Sequence, residues 1–84
     1  MYTVYIIQCR DRTLYTGITN DLKRRLKQHS TGKGSKYVKT RLPFELVYAE
    51  KLASRSDALK RELQIKRLPR YEKLELTRAI PQRM

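Results

Sequence analysis

Two β-rich runs, residues 2 to 8 and 13 to 18, are separated only by Cys9-Arg10-Asp11-Arg12, and this short gap restricts the fold more than any other feature of the chain. It reads as an antiparallel hairpin at the N-terminus. Side chains on a strand alternate between faces, so Tyr5 and Tyr15 share a face when the hairpin loop holds an odd number of residues. A three-residue loop centred on Asp11 meets that condition.

One further strand and the helices follow. Thr19-Asn20-Asp21 offers a helix N-cap, after which Leu22, Leu26 and His29 recur at helical spacing, predicting a first helix over about 21 to 30. Ser30-Thr31-Gly32-Lys33-Gly34-Ser35-Lys36 mixes breakers with positive charge and is expected to be a mobile basic loop. It lacks the full G-x-x-x-x-G-K-[ST] arrangement and nothing marks it as opening a helix, which argues against a nucleotide-binding P-loop. After Pro43, the residues Phe44, Leu46 and Tyr48 alternate with Glu45, Val47 and Ala49, as in a third strand. Ser54-Arg55-Ser56-Asp57 opens a second helix that Pro69 ends after Leu68, and a shorter third helix is expected over roughly Arg70 to Ile80.

An 84-residue chain is one small domain, here residues 1–84, since such a domain buries only roughly 60% of the surface its unfolded chain exposes. Twenty Lys+Arg against eight Asp+Glu give a formal charge of +12, spread from Arg10 to Arg83 instead of gathered in one tail. A folded domain of that charge implies a polyanionic partner. Without a long amphipathic helix to lie in a membrane interface, the expected polyanion is nucleic acid and not a membrane surface. Met1 to Cys9 is apolar but short, with no basic region before it and no small-residue cleavage pattern after it, so it reads as a core strand. The single cysteine, Cys9, makes no internal disulfide, and no Cys/His set has zinc spacing; the expected compartment is a reducing cytoplasm.

Glu62 is the residue least explained by folding. At about 100° per residue, Ile65, Ala58, Glu62, Lys66, Leu59 and Leu63 fall in that order around one arc, which sets a carboxylate inside an apolar stripe. The plain explanation is an i,i+4 ion pair with Lys66, worth about 0.2–0.5 kcal/mol on an isolated helix. The sharper one is a ligand for Mg²⁺, which one carboxylate can anchor while waters and phosphate oxygens fill the remaining positions. Arg25 and His29, four apart, project from one side of the first helix. Arg25 suits a phosphate, and His29 suits proton transfer or water orientation; a solvated arginine and a packed histidine are the plain alternatives. Tyr5 and Tyr15 are ordinary strand residues taken singly, although a phenol can also accept or relay a proton. Gly17 allows a turn or a close approach.

Taken together, Tyr5, Tyr15-Thr16-Gly17, Arg25, His29 and Glu62 resemble the GIY-YIG nuclease superfamily, and residues 2 to about 80 look like its short stand-alone bacterial members. Thr3-Val4-Tyr5 stands at the first motif and Tyr15-Thr16-Gly17 at the second; the first lacks its Gly-Ile, and Thr16 replaces an isoleucine. Gly34-Ser35-Lys36-Tyr37 and Pro43 to Tyr48 extend the likeness. The resemblance implies an α+β fold with a three-stranded antiparallel sheet flanked by helices, in β-β-α-β-α order with a short C-terminal helix. It implies a phosphodiester hydrolase using one divalent ion, Mg²⁺ or Mn²⁺, held by Glu62. Tyr15 would help activate water, Arg25 would stabilise the scissile phosphate, and Tyr5 and His29 would orient water or phosphate. Lys33, Lys36, Lys39 and Arg41, with Lys23, Arg24 and Lys27, are the expected phosphate contacts, which position a nucleic acid without reading its sequence. For the DNA endonuclease that the resemblance implies, specificity would then come from DNA shape, a partner protein, or neither. The alternative is a non-catalytic nucleic-acid-binding module on the same fold.

Overall fold

A computed structural model describes residues 1–78. The strands are β1 (Tyr2–Cys9), β2 (Leu14–Thr19) and β3 (Phe44–Leu52); the helices are α1 (Leu22–Ser30), α2 (Lys36–Lys39), α3 (Arg55–Arg67) and α4 (Arg70–Arg78). The sheet order is β2-β1-β3, antiparallel throughout, which is the α+β arrangement expected. The predicted end of the last helix, at Ile80, lies outside the described residues. Among the described residues, no helix is long and apolar enough to cross a membrane.

The hairpin register is the one the short gap called for. Tyr5 pairs with Gly17 and Ile7 with Tyr15, about a centre at Asp11. Cys9 N donates to Thr13 O at 2.9 Å and closes a three-residue loop. Asp11 Oδ1 accepts from Thr13 N and from Thr13 Oγ1 at 3.1 and 2.6 Å, and Arg12 takes the left-handed conformation (φ 72°) that closes such loops. Tyr5 and Tyr15 therefore face the same way.

β1 is covered on both sides, so its central residues form a continuous apolar run. Val4 and Ile6 face Ala58 and Ile65 of α3 and Leu76 of α4. Tyr5 and Ile7 face Leu22 and Leu26 of α1 and Val38 of α2. α1 and α3 start at the expected caps. Asp21 Oδ1 accepts from Arg24 N at 3.1 Å, and Ser54 Oγ accepts from Asp57 N at 3.1 Å. Leu68, preceding Pro69, is forced to extended backbone (ψ 144°), and α3 stops there.

Two features depart from the local reading. The basic segment is not a loop throughout: Ser35 Oγ accepts from Tyr37 N at 3.2 Å and starts the single helical turn α2, anchored by fully buried Val38. The strict alternation expected of β3 is also broken. Ile6 pairs with Tyr48 but Ile7 pairs with Leu46, so Val47 is the extra residue of a bulge. Phe44 and Leu46 then pack with Tyr5 and Ile7, whereas Tyr48 turns to the opposite face with Val4 and Ile6. There the Tyr48 hydroxyl donates to Glu50 Oε1 at 2.6 Å, and Arg61 Nε donates to the same oxygen at 2.9 Å, tying β3 to α3.

Candidate active site

The tyrosine face of the hairpin is built around one close approach. Tyr5 sits directly across from Gly17, and a Cβ at Gly17 would lie 2.6 Å from Tyr5 Oη. Any side chain there would displace the ring, so Gly17 serves a side-chain crossing and not a turn. With the ring laid over Gly17, Tyr5 Oη shares a hydrogen bond of 2.9 Å with His29 Nε2.

His29 is the centre of an aromatic box. Its ring meets Tyr15, Tyr5 and Phe44 edge-on at centroid distances of 5.5, 5.9 and 6.1 Å. Gly34 closes the remaining side, where a Cβ would lie 2.5 Å from His29 Nδ1. Tyr5 is 1% exposed and His29 is 0% exposed, and among the described residues His29 Nδ1 has no hydrogen-bond partner. Burial, with the Arg25 charge adding to it, pushes the His29 pKa below its ordinary value, so the imidazole is neutral at pH 7. Burial pushes the Tyr5 phenol up; Arg25 opposes this, while Tyr15 and Glu62 reinforce it.

Arg25 is half-buried beside this box. Its Nη1 donates to Gln28 Oε1 at 3.1 Å and its Nη2 to the Gly34 carbonyl at 3.3 Å. Glu62 lies on α3 between buried Ala58 and Ile65, its side chain 19% exposed, and Oε2 pairs with Lys66 Nζ at 3.2 Å. The i,i+4 pair is thus present, while the carboxylate still acts electrostatically on the Tyr5 phenol. Among the described residues, no three His, Cys, Asp or Glu side chains gather into a metal cluster. The donor chemistry fits a hard cation bound by one sheltered carboxylate, with waters and substrate phosphate completing its shell.

Tyr37 was not anticipated as part of this site. Carried by α2, it stacks on Tyr15 at a centroid distance of 5.8 Å and 29° between planes. Arg41 Cζ sits 3.9 Å above the Tyr37 ring. Arg41 Nε also pairs with Asp11 at 3.1 Å, so this side chain, expected to contact phosphate, is engaged by the protein itself. The i,i+4 spacing of Tyr37 and Arg41 was the available signal, hidden because the segment did not read as helical. Lys23, Arg24, Lys27, Lys33, Lys36 and Lys39 are exposed, as phosphate contacts require.

The motif departures lie on both faces of the sheet, only one of which carries the tyrosine rings. Val4 and Thr16 face the α3 and α4 side, and Thr3 is buried on the side of α1. Comparison with known proteins bears out the resemblance. The family model described as the GIY-YIG catalytic domain matches residues 1–75. A UPF0213 protein of Oceanobacillus iheyensis is 55% identical over 73 residues, covering 87% of this chain and 85% of the relative. A UPF0213 protein of Syntrophus aciditrophicus is 51% identical over 82 residues, covering 96% and 94%. The solution NMR structure of a UPF0213 protein from Bacillus halodurans superposes with a TM-score of 0.61 at 41% identity, covering 94% of this chain and 85% of that one. A solution NMR structure of an E. faecalis protein gives 0.62 at 33% identity, covering 99% and 92%. With sequence, register and fold in agreement over nearly the whole chain, this protein belongs to the GIY-YIG catalytic domain family, a family of nucleases, alongside the UPF0213 proteins.

Proposed function

We propose that this chain is a divalent-metal-dependent endonuclease that hydrolyses DNA phosphodiester bonds with little base specificity, nicked, branched and single-stranded DNA being its candidate substrates. The observation that carries the reading is the gathering of Tyr5, Tyr15 and His29 into one box, with Arg25 bonded to the Gly34 carbonyl beside it, together with a sheltered carboxylate, Glu62, on α3. Glu62 is the residue to hold Mg²⁺ or Mn²⁺, and half-exposed Lys66 releases it. Bound there, the ion supplies charge neutralisation for phosphate oxygens and makes a neighbouring water more acidic.

Tyr15, half-exposed, is the phenol that takes or relays the proton of the attacking water. Arg25 neutralises charge building on the phosphate, once its Nη2 exchanges the Gly34 carbonyl for a phosphate oxygen. Tyr5 and His29 are too deeply buried to meet a substrate in this arrangement, which supports a positioning role: they hold the Tyr15 ring, where the family resemblance would have them orient water or phosphate.

The test is cleavage of supercoiled, branched and single-stranded DNA by the parent and Glu62→Ala, with Mg²⁺, Mn²⁺ or chelator. Cleavage is expected to need both metal and Glu62, with DNA binding retained in the variant; parent-like cleavage by Glu62→Ala would sink the metal assignment. The burial of Tyr5 and His29 favours one second reading, a non-catalytic nucleic-acid-binding module. Binding without metal-dependent cleavage by either protein would select it.

A further inference from the structure

We propose that a cleft at one end of the sheet seats a non-scissile DNA phosphate between Arg24 and Arg55; this rests on the nucleic-acid reading above and adds where the strand lies. β1 begins at this end while β2 and β3 finish there, with Tyr2 opposite Leu52 and Thr3 opposite Thr19. Both α1 and α3 therefore start beside one another. Between them opens a cleft of about 350 Å³, lined by Arg24 and Arg25 of α1 and by Arg55, the first residue of α3.

The positive charge in this cleft is only partly compensated, three arginines against the one acid Asp21. Among the described residues, the guanidinium groups of Arg24 and Arg55 have no ion-pair or hydrogen-bond partner, whereas those of Arg41, Arg61 and Arg78 are all paired. The lone acid in the lining is Asp21, and its Oδ1 already accepts from Arg24 N as the cap of α1. Two arginines lining one recess repel each other less when an anion lies between them, and the oxygen pair of a phosphate matches the guanidinium fork.

The position of the cleft ties it to the site already described. Arg25 forms part of its wall and also reaches the Gly34 carbonyl beside His29. Arg55 precedes Glu62 by seven residues, two helical turns on the same face of α3, about 10 Å along its axis. A strand whose scissile phosphate lies at Arg25 and Glu62 thus runs toward the N-terminal end of α3 and meets Arg24 and Arg55 with a neighbouring phosphate. Arg55 carried no functional reading in the sequence, because an arginine opening a helix is commonplace; only the meeting of the two helix starts singles it out.

The experiment measures binding of a fluorescein-labelled DNA duplex to the full chain across a salt series, with chelator present so that no strand is cut. It compares the parent, Arg24→Gln, Arg55→Gln, the double variant, and Lys60→Gln on the exposed side of α3, with circular dichroism confirming each fold. Each arginine variant is expected to weaken binding several-fold and to lower the slope of log affinity against log salt by about 0.9, the contribution of one duplex phosphate. The double variant should lose little more than either single one, because both arginines share one phosphate. Lys60→Gln should leave the slope unchanged. An Arg55→Gln slope equal to that of Lys60→Gln, or losses that add fully in the double variant, would overturn the cleft while leaving the nuclease reading intact. Absence of salt-dependent binding by the parent would overturn both.

Discussion

The two faces of the sheet share a strand but solve different problems. On the α3 and α4 side, Val4, Ile6, Val47, Ala58 and Ile65 form an apolar core, and the Tyr48 hydroxyl packed with it donates to Glu50. On the α1 and α2 side, β1 contributes Tyr5 in place of an aliphatic residue, and the helix opposite contributes His29. That face buries a phenol and an imidazole, leaves His29 Nδ1 without a partner among the described residues, and borrows the Gly34 backbone as a wall. Burying an unsatisfied polar atom costs about 1–3 kcal/mol. Alternation along β1 thus separates two demands: one set of residues stabilises the molecule, and the interleaved set holds the groups of the proposed site at some cost to stability.

Substitutions can break or sharpen this division. The largest effect is expected from Ile65→Ala, which empties a fully buried aliphatic site and should cost about 2–5 kcal/mol. Denaturant unfolding reads that loss, while the cleavage rate of the folded fraction should stay near that of the parent; an equal loss of both would erase the distinction. Gly17→Ala comes next, since its methyl enters the space of the Tyr5 ring and should cost about 1–3 kcal/mol by overpacking. Here cleavage should fall as well. The same clash predicts that Gly17→Ala and Tyr5→Leu are non-additive in unfolding free energy, whereas additive losses would remove the crossing as the reason for this glycine.

Tyr37→Ala should cost about 0.5–1.5 kcal/mol through the lost stack on Tyr15 and slow cleavage more than it weakens DNA binding. Tyr37→Phe, which keeps the ring, should behave like the parent; a defect equal to that of Tyr37→Ala would make the hydroxyl, and not the stack, the active feature. The smallest effect is confined to a pH window. Folding holds the His29 pKa below its ordinary 6.5, so the unfolded chain binds a proton that the folded protein resists. Stability from this group is intact above pH 6.5, declines as pH falls from there, and reaches its full loss at the lower folded pKa. His29→Phe should flatten that part of the melting temperature against pH profile. An unchanged profile would place its cause elsewhere.

Much of the site was legible because local rules act on it directly. Period-two alternation about Asp11 determined that Tyr5 and Tyr15 share a face, and capping chemistry at Asp21 and Ser54 determined where α1 and α3 begin. Helical spacing then gave Arg25 and His29 a common side, but the apolar stripe it drew around Glu62 is buried only at Ala58 and Ile65, with Leu59 and Leu63 exposed, so Glu62 borders the buried face. Tertiary structure alone decided the rest. The bulge at Val47 turns Tyr48 away from Phe44 and Leu46, because β3 must follow a twisted sheet and reach Arg61 on α3. The turn at α2 is held by burial of Val38, which overrides the breakers around it, and so brings Tyr37 onto Tyr15. The enclosure of His29 and the meeting of Arg24 with Arg55 depend on segments far apart in the chain, whose approach no local propensity encodes.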